Sequence, residues 1–113
     1  MEYPYITISL TSKTLTFVIS KKEQQRFPIA IGKPDTPTPK GTWQIQNKKI
    51  LSDTEVFGSH WLGLSLPGYG IHGTNRPELI GKAVSGGCIR MLNQDIQSLF
   101  QQTHIGTLVI IAE

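Results

Sequence analysis

The chain's one cysteine, Cys88, stands in Ser85-Gly86-Gly87-Cys88-Ile89-Arg90-Met91, and His72 precedes it by 16 positions in Gly70-Ile71-His72-Gly73-Thr74. A sulfur nucleophile attacks as its thiolate, so it needs a base or a positive charge beside it, and histidine serves that role best near neutral pH. The interval is long enough for the chain to leave a strand, cross a loop and return alongside. Gly86-Gly87 places unhindered amides next to the sulfur, as the oxyanion of an acyl transfer requires, and permits a tight turn that exposes it. Arg90, two residues on in an extended segment, shares the face of Cys88 and could bind a carboxylate or raise the local potential. Each feature alone has a plainer reading. Cys88 could be a small buried apolar residue, His72 a turn histidine, Gly86-Gly87 an ordinary hairpin turn, and Arg90 an ion-pair partner of Asp95. Their coincidence in one short stretch favours chemistry.

These groups need a scaffold, and the rest of the chain predicts one made of strands. Tyr3, Tyr5, Ile6, Ile8 and Leu10 lie in an extended β-prone run, Thr11-Ser12-Lys13 is a turn, and Leu15, Phe17 and Ile19 alternate with Thr14, Thr16 and Val18. Together they predict a hairpin. Lys21 to Gln24 is a second turn, and Arg26 to Ile31 a third strand, ended by Gly32. Pro28 in that strand predicts an edge or a bulge. Gly32 to Gly41 is a loop stiffened by Pro34, Pro37 and Pro39, and a strand over Thr42–Gln46 follows. Ile50 to Ser59 has no clear pattern. Trp61 to Leu66 predicts a strand, and Pro67-Gly68-Tyr69-Gly70 a turn. One helix is expected, with Asn93 as N-cap, Asp95 in the first turn, and Ile96, Leu99 and Phe100 at helical spacing. Gly106 breaks the chain, and Leu108 to Ile111 closes it as a buried strand. The expected fold is mainly β: a sandwich or partly closed barrel of mixed sheets with one short helix packed on it.

The bulk properties exclude several classes. The 113 residues fit one domain, 1–113, large enough for a core without disulfide or metal. No apolar run is long enough to span a bilayer as a helix, and Met1-Glu2-Tyr3-Pro4 lacks the basic and apolar regions of a signal peptide. The net charge of +3 is small, and Lys21-Lys22 and Lys48-Lys49 read as separate solvated turns. No zinc-finger spacing or aromatic-basic interleaving points to nucleic acid.

His72-Gly73-Thr74, then Ser85-Gly86-Gly87-Cys88-Ile89-Arg90-Met91, then Asn93 and Asp95-Ile96, resembles the signature of YkuD-type L,D-transpeptidases. Gly32-Lys33-Pro34, Thr36-Pro37-Thr38-Pro39 and Gly41-Thr42-Trp43 resemble that family's loop and following strand, so the likeness runs from about Tyr5 to Ile111. It implies a mostly β fold and action on peptidoglycan stem peptides in the bacterial cell envelope. The amide after the third stem residue would be attacked, D-alanine released, and the acyl group passed to an amine of another stem. It further implies Cys88 as nucleophile, His72 as base, the Gly73 carbonyl orienting the imidazole, and the amides of Gly87 and Cys88 forming much of an oxyanion hole. The expected substrate-binding residues are Arg90, Gly86, Ser85 and Thr74. Relatives often carry histidine in place of Gly86, and some carry asparagine in place of Arg90.

Other chemistries fit less well. A zinc site from His60, His72, Cys88 and His104 lacks recognised ligand spacing, so no metal or cofactor is expected. A serine hydrolase on Ser85 lacks the Gly-x-Ser-x-Gly elbow. Three readings stay open beside transpeptidation: an L,D-carboxypeptidase on the same site, a sortase-like cysteine transpeptidase, and a non-catalytic wall-binding module. A monomer is expected.

Overall fold

Alternation of apolar and polar residues builds most of the strands. In the computed structural model, which describes residues 3–52 and 57–113, β1 (Tyr5–Ser9) and β2 (Thr14–Val18) form the expected hairpin. Both bury every second side chain, Ile6 and Ile8 facing Leu15 and Phe17. The third strand, β3 (Gln24–Gly32), changes partners along its length. Gln24–Pro28 pairs with β2, Ile29 and Ala30 with β8 (Ile89–Met91), and Ile31 and Gly32 with β7 (Ala83–Ser85). Pro28 ends the ladder to β2 opposite Thr14, one residue before pairing with β8 begins. A missing N–H is tolerated at such a place.

β4 (Gly41–Ile50), β5 (His60–Leu64) and β6 (Gly70–His72) form an antiparallel meander, and β9 (Leu108–Ala112) lies between β4 and β1. The order β2-β1-β9-β4-β5-β6-β8-β3 returns to β2, so eight strands close a mixed barrel, with β7 attached beyond β3. The barrel is thus fully rather than partly closed. Side chains from every sector of the ring fill one apolar cluster, among them Ile6, Phe17, Ile29, Ile45, Leu62, Ile71, Met91 and Val109. The helix α1 (Asn93–Gln102) packs on β5 and β6 through Ile96 and Leu99.

Three local expectations are corrected. The N-cap is Leu92, whose carbonyl accepts from the amides of Asp95 and Ile96, and Asn93 makes no cap bond. Lys48 is not in a solvated turn: it lies in β4, and its Nζ donates to the carbonyls of Phe100 and Thr103, both at 2.6 Å, closing the C-terminal end of α1. The last strand is buried on one face only, with Val109 and Ile111 inward and Leu108 exposed. Of the unassigned stretch from Ile50 to Ser59, residues 53–56 lie outside the described residues.

Candidate active site

β6 and β8 are parallel neighbours, with Ile71 paired to Ile89 and His72 to Arg90. Both isoleucines point into the core, so His72 and Arg90 emerge side by side on the outer face. Cys88, two residues before Arg90, heads for the same face in line with Gly70. Trp61 on β5 is paired with His72 and lies on that face too. Its ring stacks on the imidazole at 5.5 Å and 14°, and the Phe57 ring meets the imidazole edge-on at 4.9 Å. These rings leave His72 only 2% exposed. Gly70 makes room for the arrangement, since a Cβ there would come within 2.6 Å of the Trp61 ring.

The turn carrying the cysteine is held from inside. Ser85 Oγ donates to the Cys88 carbonyl at 2.6 Å and accepts from the Gly87 amide at 3.0 Å. Gly87 has φ +126°, and a Cβ there would strike the Tyr69 ring, so only glycine fits. The proline loop splints the same turn. The Lys33 amide and Thr36 Oγ1 both donate to the Ser85 carbonyl, at 3.0 and 2.9 Å. The Gly32 amide donates to buried Thr38 Oγ1 at 3.0 Å, and Gly32 lies so close to Gly87 that a Cβ on it would sit 3.0 Å from the Gly87 Cα. Among the described residues, the amides of Gly86 and Cys88 meet no acceptor.

The imidazole has a defined tautomer. Its Nδ1 lies 2.6 Å from the Gly73 carbonyl, which can only accept, so Nδ1 carries the hydrogen and Nε2 keeps its lone pair. Burial drives the His72 pKa down to about 4, assisted by the charge of Arg90 and opposed by the carbonyls of Gly73 and Phe57. Burial pushes the Cys88 thiol up, while the Gly70 backbone and Arg90 pull the other way. Near neutral pH the two groups are therefore an uncharged thiol and an uncharged imidazole. No hydrogen bond joins them; the thiol points to the Gly68 carbonyl at 3.8 Å.

The structure divides the expected site residues into two sets. Cys88, His72 and Arg90 share the outer face, and Gly86 beside them is open, with nothing within 4 Å of a Cβ placed on it. Ser85 and Thr74 are buried, with their hydroxyls engaged by backbone groups. They are 2% and 3% exposed, Ser85 Oγ is used within the turn, and Thr74 Oγ1 accepts from the Arg76 amide. The Gly87 amide is likewise occupied by Ser85 Oγ, which leaves Cys88 N–H as the free donor of the expected pair. Arg90 forms no ion pair with Asp95 or any other described residue, and its Nε is buried without a partner. His60 turns the other way, bonding Ser59 Oγ at 2.7 Å and packing on Phe100 of α1, and His104 is exposed after that helix. No group of three or more His, Cys, Asp or Glu comes together among the described residues.

Sequence reasoning missed Trp61, Phe57 and Tyr69 as the walls of the site, and Thr36 and Thr38 as its splint. The proline loop was a visible signal of rigidity, but not of what it braces. The side chain of Asn93, expected as the helix cap, serves another purpose. Its Oδ1 accepts from the amides of Ser59 and Thr74, at 3.2 and 3.1 Å.

A family model described as the L,D-transpeptidase catalytic domain, YkuD, matches residues 3–111. The chain is 47% identical over 109 residues to a Bacillus subtilis (strain 168) protein named as an L,D-transpeptidase, YkuD. That match takes in 96% of this chain and 66% of the relative, so the chain spans just under two thirds of the relative's length. Among solved structures, the chain is similar to the catalytic domain of an Enterococcus faecium L,D-transpeptidase determined by NMR. The TM-score is 0.80 at 27% identity, over 99% of this chain and 98% of that one. An L,D-transpeptidase from Mycobacterium smegmatis superimposes with a TM-score of 0.85 at 19% identity, over 98% of this chain and 59% of that one, a likeness of fold.

Proposed function

The chain belongs to the L,D-transpeptidase catalytic domain (YkuD) family, and from that premise we propose that it transfers acyl groups between peptidoglycan stem peptides through Cys88. The observation that carries the reading is the outer face on which neutral His72, its Nδ1–H tied to Gly73, stands beside Cys88 and Arg90. His72 Nε2 takes the thiol proton as Sγ bonds to the carbonyl carbon of the third stem residue. The resulting oxyanion is met by the free Cys88 amide and, within the same turn, by Gly86. Collapse breaks the C–N bond, and the imidazolium returns its proton to the departing D-alanine amine. The thioester is then opened by an amine of a second stem. His72 takes that amine's proton and gives it to the Cys88 thiolate.

Arg90, a cation without an anionic partner among the described residues, is suited to a stem carboxylate. The closed ring leaves few free strand edges, so we expect the domain to work as a monomer, and a sedimentation mass of two chains would overturn that. The site of action is the cell wall, where the substrate lies.

Incubation with tetrapeptide-stem fragments, followed by mass spectrometry, tests the reading. Crosslinked dimer or amino-acid exchange at the stem terminus is expected, together with a thioester adduct lost in Cys88→Ala. Tripeptide alone makes the enzyme an L,D-carboxypeptidase. No adduct and no product leaves a non-catalytic wall-binding module. In the same assay Arg90→Lys should use donor poorly while Cys88 still reacts with a small neutral alkylating reagent; full donor use removes Arg90 from the site.

A further inference from the structure

We propose that Asn93 is a positioning residue for His72, setting the tautomer of the base from the first turn of α1; this rests on the reading of His72 as the base. Asn93 does nothing for its own helix, whose N-cap is Leu92. Its Oδ1 instead takes two backbone hydrogens from separate segments, Ser59 N–H and Thr74 N–H. Those segments make the surroundings of the imidazole. The first brings Phe57, whose ring covers the imidazole edge and whose carbonyl favours a protonated ring. The second brings Gly73, whose carbonyl holds the Nδ1 hydrogen.

Both segments are shaped around this one oxygen. A Cβ on Gly58 or on Gly73 would collide with Asn93 Oδ1, and Gly58 sits at φ +72°. Two glycines thus clear space for a single amide acceptor. The other end of the connection is rigid, because α1 is anchored by Ile96 and Leu99, both fully buried. The path runs from the apolar core through α1 and Asn93 Oδ1 to the Thr74 amide, and so to the neighbouring Gly73 carbonyl. Without the acceptor, the Gly73 carbonyl is free to turn, and Nδ1 loses the partner that keeps its hydrogen. The imidazole then populates the tautomer in which Nε2 carries the hydrogen and cannot accept one from Cys88.

Three variants test this, Asn93→Ala, Asn93→Asp and Asn93→Ser, by two measurements. The ring nitrogens of His72 are followed by 15N NMR, and kcat and KM by the stem-peptide assay. Asn93→Ala should show mixed tautomers and lose about tenfold to a hundredfold in kcat, with KM changed by less than about twofold. Asn93→Asp keeps an acceptor at the same place and should restore the Nδ1–H tautomer, its charge raising the pH at which His72 is protonated. If Asn93→Ala fails to fold, Asn93→Ser, whose hydroxyl is too short to reach both amides, should give the mixed tautomers. A folded Asn93→Ala or Asn93→Ser protein with unchanged ring signals and unchanged kcat overturns the proposal, even if its melting temperature falls. The NMR measurement needs no substrate, so it separates this proposal from the proposed function. If His72→Ala leaves acylation intact, His72 is not the base, whereas the ring signals still report whether Asn93 positions it.

Discussion

His72 stays neutral because Trp61 and Phe57 take it out of water, and Arg90 adds a repelling charge. In its proposed role as base, an imidazole unprotonated down to about pH 4 is ready across the whole neutral range, so the acid limb of acylation should lie near pH 4 rather than 6.5. The same shift acts on stability. The unfolded chain accepts a proton near pH 6.5, whereas the native state resists it until about pH 4. The stability contributed by neutral His72 is therefore complete above pH 6.5 and lost as pH falls from there to about 4. The loss is on the order of 3 kcal/mol. Urea unfolding at both ends of this window should show His72→Asn losing less stability than the parent by roughly that amount. Equal losses would mean that the native ring is protonated as easily as a free one.

At the scale of elements, the cysteine turn depends on a loop distant in sequence. The proline loop lacks amide hydrogens at Pro34, Pro37 and Pro39, and it uses Thr36 and Thr38 to bond inward. Thr38 is the more testable, being 5% exposed and the acceptor for Gly32 N–H. Thr38→Val keeps the shape and leaves that amide buried without a partner, which costs about 1–3 kcal/mol. Gly32 touches Gly87, so the loosened loop should also slow acylation. The expected outcome is a lower denaturation midpoint with faster hydrogen exchange at the Gly32 amide. An unchanged midpoint would show that the loop is not a splint.

For the whole molecule, ring closure is the governing fact. The final strand β9 is inserted between β1, its parallel neighbour, and β4, its antiparallel one. It therefore joins the N-terminal hairpin to the meander that carries His72. The apolar cluster cannot close until the end of the chain is in place, since Val109 and Ile111 complete it. A chain ending at Gly106 should show no cooperative unfolding and no dispersed amide spectrum. A folded, active truncated chain would mean that the open ring suffices.

Strand periodicity, the hairpin turn, the α-helix and the grouping of Cys88 with His72 and Arg90 were determined by the sequence itself. Each depends on residues close together in the chain: alternation at Ile6 and Ile8, helical spacing at Ile96 and Leu99, and a short run of glycines before the thiol. The family resemblance likewise rests on short local runs, His72-Gly73-Thr74, Ser85 to Met91 and the proline loop. Closure of the ring and the partners of the polar side chains were decided only in three dimensions. Asn93 reads as a helix cap because asparagine favours that place, yet its oxygen is claimed by an amide 34 positions earlier. Ser85 and Thr74 read as substrate contacts because they flank the motif, yet both are buried and bonded to backbone. Arg90 lies near Asp95 in sequence, yet the two form no ion pair. Thr36 reaches across 49 positions to brace the cysteine turn. Backbone preferences are written in neighbouring residues, whereas a buried hydrogen-bonding group takes whichever partner the packed core brings within about 3 Å.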